Sequence, residues 1–172
     1  MPEFGGLGLL AWDEVRRFSI DMLLGEILTE QQIVPDLSAT DRWQVIDELI
    51  DHLVACDRLR VEDRDTIAAV VKKRETSMST GIGFGVGIPH ASTELVDDVV
   101  GAFGRSSRGI NFDALDNKPV RLVMLFLVPQ GQFQKHLHTL ANIAKTLHDN
   151  DFRSALCDAA SAAEMERIIC SR

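Results

Sequence analysis

Residues 81–92 read GIGFGVGIPHAS, and the run ends on Pro89 and His90. A histidine there has usable chemistry. A neutral imidazole carries a lone pair near pH 7 and can attack an electrophile such as phosphorus. Proline fixes φ and lacks an N–H, so an extended chain must stop or kink at Pro89, which holds His90 on a stiff backbone. Gly81, Gly83, Gly85 and Gly87 alternate with Ile82, Phe84, Val86 and Ile88. In one extended strand the glycines would share one side, and the apolar four would bury on the other. The bare side would then either admit another backbone or a ligand, or mark a bulged edge strand.

Two further histidines lie in KHLHTL, at 136 and 138. On a helix they point about 200° apart and cannot share a metal ion, whereas on a strand they could. The apolar positions that begin at Leu137 favour the helix. His136 then falls in the first turn, where the positive end of the helix dipole favours a neutral ring. The same helix end offers free N–H groups to a phosphate. His138 and His148 read as solvent-facing. Arg74 and Lys135 are the cations expected nearest, and an arginine fork suits phosphoryl oxygens. Asp97 and Asp98 could orient an imidazole or simply form a solvated strand edge.

The usual phosphate-binding motifs are absent. No GxxxxGK[ST] occurs, GxGxGxG is not the dinucleotide pattern GxGxxG, and no GxSxG elbow is present. No carboxylate–histidine spacing supports a metal site, and no cofactor is expected.

Several elements must position these residues. LSATDRWQVIDELIDHLVACDR predicts a helix capped by Ser38 or Thr40, with Trp43, Ile46, Leu49, Ile50, Leu53 and Val54 on one face. VEDRDTIAAVVKKRE predicts a second, acidic at its start and basic at its end. VDDVVGAFGR reads as a strand, and PVRLVMLFLVP as a central strand covered on both faces. HLHTLANIAKTLHDN predicts a helix burying Leu137, Leu140, Ala144 and Leu147. DFRSALCDAA and SAAEMERIICSR predict short helices, the second capped by Ser161 with Glu164 three residues on. WDEVRRFSIDMLLGEIL is expected to be partly helical, after an N-terminal extension over residues 1–18. The expected class is α/β, with a β-sheet covered by helices on both faces.

Composition narrows the function. The 172 residues carry a net charge of −8, with 45% hydrophobic and 26% charged residues, which fits one globular domain and argues against nucleic-acid binding. Three cysteines without CxxC spacing fit a reducing compartment. No apolar run is long enough to span a bilayer and no signal peptide is evident, so a cytoplasmic protein without membrane insertion is expected.

RETSMSTGIGFGVGIPHAS, INFDALDNKPVRLVMLFLVP and KHLHTLANIAKTL, in that order, resemble the mannitol/fructose-type (type 2) enzyme IIA domains of the bacterial phosphoenolpyruvate-dependent phosphotransferase system. FDALDNKPV and HLHTL look most like the nitrogen-regulatory branch. The resemblance covers roughly residues 20 to 170 and implies a type-2 domain over residues 19–172. Its fold would be the α/β sandwich of the phosphotransferase/anion transport protein class, with a mixed β-sheet covered by helices on both faces. It implies that His90 is the phosphorylated nucleophile, that His136 stabilises the phosphoryl group and that Arg74 steadies its charge. A histidine-containing phosphocarrier protein would be the donor. A IIB subunit or a regulated target protein would be the acceptor. Gly87 departs from the alanine usual in the family. No IIB or IIC segment is attached, so transport is expected to need separate proteins. The readings in play are a regulatory phosphoryl carrier, a sugar-uptake IIA subunit donating to a separate IIB cysteine, and an interaction domain that has lost the chemistry.

Overall fold

The apolar run at 120–129 occupies the middle of the structure. In the computed structural model, which describes residues 24–171, it forms β6 (Val120–Pro129) of a six-stranded sheet. The other strands are β1 (Ile33–Val34), β2 (Gly81–Gly83), β3 (Val86–Gly87), β4 (His90–Thr93) and β5 (Val100–Ile110). Their order is β1-β5-β6-β3-β2, with β4 also paired to β6. β5 runs antiparallel to β6, whereas β3 and β4 run parallel to it, so the sheet is mixed.

Side chains of β6 alternate between two cores, as a strand covered on both faces requires. Val123, Leu125 and Leu127 pack toward α1 (Arg42–Ala55) and α2 (Arg64–Ser77). Leu122, Met124, Phe126 and Val128 pack on the opposite face. There they meet α3 (Phe133–Leu147), α4 (Asn150–Asp158) and α5 (Ala162–Cys170). This is the α/β class and the two-sided cover expected from sequence. Among the described residues no helix is long and apolar enough to cross a membrane.

Three local expectations need correction. The cap of α1 is Asp41, which accepts from the N–H groups of Trp43 and Gln44 at 2.9 Å each; Ser38 and Thr40 lie outside the helix. Along α3 the buried positions are Thr139, Ile143 and Leu147, and Leu137 is 46% exposed. Leu140, Ala144 and Leu147 pack on the core as expected, and Leu137 falls outside it because this helix turns the face with Phe133 and Leu140 to the sheet. The glycine run, third, is a hairpin. β2 and β3 pair antiparallel, Gly81 with Gly87 and Gly83 with Val86, around a two-residue turn at Phe84 and Gly85. Both turn residues have positive φ (58° and 75°), as a type I′ turn requires. Phe84 therefore leaves the apolar side of a single strand and is 65% exposed at the tip. The Ser161 cap is as expected: its hydroxyl accepts from Glu164 N–H at 3.2 Å. The extension over residues 1–18 lies outside the described residues, as does most of the partly helical segment that follows.

Candidate active site

His90 is placed by a break in one strand. β3 and β4 keep the same register on β6, Gly87 opposite Val123 and His90 opposite Phe126, with Ile88 and Pro89 between them. Pro89 still accepts from Phe126 N–H through its carbonyl (3.0 Å). The peptide groups of Ile88 face the other edge, where its N–H donates to the carbonyl of Thr80 (3.0 Å). Beyond that point no strand among the described residues continues beside β4, so the Ile88 carbonyl has no ladder partner there. It accepts instead from the His90 ring, Nδ1 to O 2.8 Å. Pro89 thus interrupts the strand, but His90 opens the next one rather than closing the last.

That hydrogen bond decides the chemistry of the ring. A carbonyl oxygen can only accept, so the proton sits on Nδ1 and the lone pair on Nε2. Burial holds the His90 imidazolium below its ordinary pKa. The positive charge of Arg74 lowers it further, while the bond to Ile88 acts in the opposite sense. The ring is therefore neutral, and nucleophilic at Nε2, near pH 7.

Two other elements, α3 and α2, converge on this ring. Phe133, in the first turn of α3, stacks against it with ring centroids 6.1 Å apart and planes 17° from parallel. His136 follows Phe133 by one turn on the same helical face and is half-buried. Gln132, the cap residue of α3, makes no side-chain capping bond, so its first N–H groups have no side-chain partner. Arg74 ends α2, where its guanidinium donates to the carbonyl of exposed Met78 (3.2 Å) and its charge reaches His90. The structure thus brings Arg74 and the first turn of α3 to the His90 ring. Lys135 and His138 are exposed, and His148 sits edge-on to Phe84, 5.1 Å between centroids, at the far end of α3. Asp97 and Asp98 are exposed beyond the end of β4; the Ile88 carbonyl orients the ring in their place.

Gly81 and Gly87 of the hairpin face the protein, not an open approach to His90. A Cβ at 81 would lie 2.7 Å from the Cβ of Ala114, and one at 87 would lie 2.9 Å from the ring of Phe112. Both neighbours belong to the FDALD segment, which wedges beneath the hairpin. Sequence reasoning missed Phe112, Phe133 and Glu75. Phe133 could have been found as the residue one turn before His136; nothing in the sequence marks the other two.

Comparisons with known proteins bear on the family and the fold. The family model for the phosphoenolpyruvate-dependent sugar phosphotransferase system, EIIA 2, matches residues 26–171. The chain belongs to that family. It is 40% identical over 124 residues to the fructose-specific EIIA component of Haloferax volcanii, covering 72% of this chain and 79% of that protein. Its fold is similar to the nitrogen regulatory protein IIA-Ntr of Neisseria meningitidis, with a TM-score of 0.77 and 32% identity over 86% of this chain and 99% of the other. It is also similar in fold to the Escherichia coli enzyme IIAMTL solved in complex with phosphorylated enzyme IIBMTL. There the TM-score is 0.68 at 18% identity, covering 84% and 98% of the two chains.

Proposed function

We propose that this IIA-family protein is a phosphoryl carrier that accepts phosphate on Nε2 of His90 from a histidine-containing phosphocarrier protein. The observation that carries the reading is the 2.8 Å bond from Nδ1 to the Ile88 carbonyl, because it leaves Nε2 as the nucleophile. In the transfer, the Nε2 lone pair forms a bond to phosphorus as the bond from phosphorus to the donor's ring nitrogen breaks. The donor leaves as neutral imidazole, and the proton on Nδ1 of His90 stays where it is. Such a transfer asks the protein for position and charge. Arg74 and the uncapped N–H groups of α3 supply charge, and His136 supplies a hydrogen bond to the phosphoryl oxygens. Exposed Met78 and Leu137, beside Arg74 and His136, offer apolar rim to the docking protein.

The likeness to IIA-Ntr favours a regulatory role for the whole domain, residues 19–172, in the cytoplasm. A phosphoryl group adds about −1.5 to −2 charge to the surface a target protein would meet. The 40% identity to a fructose-specific EIIA favours a second reading, in which phosphate passes to the cysteine of a IIB subunit.

Intact mass after incubation with phosphoenolpyruvate, enzyme I and phosphocarrier tests the first step. One acid-labile phosphoryl gain is expected in the wild type and none in His90→Ala. His136→Ala is expected to be slow but folded. Equal gain in the His90 variant would overturn the assignment. Chasing the phosphoprotein with a IIB subunit separates the two roles: loss of the label to cysteine supports uptake, and retention supports regulation.

A further inference from the structure

Glu75 is 1% exposed, the residue after Arg74, and faces inward where Arg74 faces out. Its carboxylate accepts twice from Thr80, from the backbone N–H at 3.0 Å and from the hydroxyl at 2.5 Å. Arg42, at the start of α1, lies 3.7 Å from the same carboxylate and 3.4 Å from Asp113 of the FDALD segment. A buried carboxylate is costly unless it is paired and hydrogen-bonded, and this one is both. What it holds is the residue where the glycine hairpin begins.

The bonds continue from Thr80 to the site. The Thr80 carbonyl accepts from Ile88 N–H, and the Ile88 carbonyl accepts from Nδ1 of His90. Glu75, Thr80, Ile88 and His90 therefore form one chain of hydrogen bonds, anchored on α2 and Arg42. Resting on the reading of His90 as phosphoryl acceptor, we propose that Glu75 is a positioning residue: through Thr80 it fixes the Ile88 carbonyl, and so the tautomer and direction of the His90 ring. One turn of helix then serves the site twice, with Arg74 toward the phosphoryl group and Glu75 toward the backbone beneath the nucleophile. Glu75 touches neither phosphate nor the imidazole. Its effect is geometric and passes through two backbone groups.

The test reads the ring itself. Ring 15N shifts of His90 are measured in full-length protein at a pH about two units above the ordinary histidine value near 6.5, with no phosphodonor present. Wild type is expected to show a protonated Nδ1 and a bare Nε2. In Glu75→Ala both nitrogens move toward the average of two exchanging tautomers, and phosphoryl uptake falls about 100-fold, as for a nucleophile misplaced by an ångström. Glu75→Gln keeps an acceptor of the same shape for the Thr80 N–H and restores most of the tautomer preference and rate. Thr80→Val removes only the hydroxyl bond, and gives a smaller shift in the same direction even if Glu75→Ala does not fold. Wild-type ring shifts in Thr80→Val, or in folded Glu75→Ala, would overturn the proposal. Because the shifts are read without a donor, they stand apart from the carrier reading. A wild type that never takes up phosphate refutes that reading and leaves the positioning result intact.

Discussion

The two flanks of β6 are built on opposite plans. On one side β5 pairs with it antiparallel over most of its length, from Val100 opposite Leu127 to Ile110 opposite Val120, with one irregularity between Arg105 and Ile110. On the other side the partner is a parallel strand broken at Ile88 and Pro89, with a hairpin folded onto its outer edge. From Val100 to Arg105 the first side spends its peptide groups on the ladder. The broken side leaves the Ile88 carbonyl outside the ladder, and that carbonyl sets the His90 tautomer. Strand irregularity here frees a backbone acceptor for the His90 ring, while the other flank holds the axis still.

The comparison can be broken by perturbing each flank in turn. Leu125, fully buried opposite Ala102 of β5, belongs to the scaffold side. Leu125→Ala is expected to cost about 2–5 kcal/mol in equilibrium denaturation. The folded fraction should take up phosphate at the normal rate. A smaller loss is expected at the hairpin. Gly81→Ala would drive a methyl against Ala114, including its backbone Cα at 2.8 Å, and is expected to cost about 1–3 kcal/mol. Unlike Leu125→Ala, it should slow uptake in fully folded protein, since it displaces the strand that Thr80 leads. Equal rates in the two variants would show that the flanks do not divide the work.

The smallest effect concerns pH and leaves both flanks in place. The His90 pKa is lowered first by burial and then by Arg74, so the acid limb of the uptake profile should lie below the ordinary histidine value near 6.5. Removing the cation raises the pKa, so Arg74→Ala should move that limb toward higher pH, in addition to slowing transfer. The same shift affects stability. The unfolded chain protonates this ring before the folded one does, so the contribution of neutral His90 is present above the ordinary value. It is lost as pH falls through the lowered one. A limb that stays put in Arg74→Ala would show that burial alone sets the His90 charge.

Much of this was legible in the chain. The apolar run at 122–128 pointed to a doubly covered strand, because a strand buried on both faces is apolar at successive positions. The helices on either side followed from 3.6-residue periodicity, although Leu137 of α3 came out exposed and Ile143 buried, since the two look alike until a sheet selects between them. His90, His136 and Arg74 were marked by residue type and by resemblance to the family. What the alternation at 81–88 could not say was that it folds back on itself. Period two fits a straight strand and a tight hairpin equally well, and Phe84 at positive φ is a choice the whole molecule imposes. The sequence by itself determined the class, the central strand and the candidate nucleophile, because those rest on local pattern and residue chemistry. Only the tertiary structure decided the partner of Nδ1, the aromatic stacked on the ring and the carboxylate beneath the hairpin. Each of these joins residues from separate elements, through backbone groups that carry no signature of their own in the sequence.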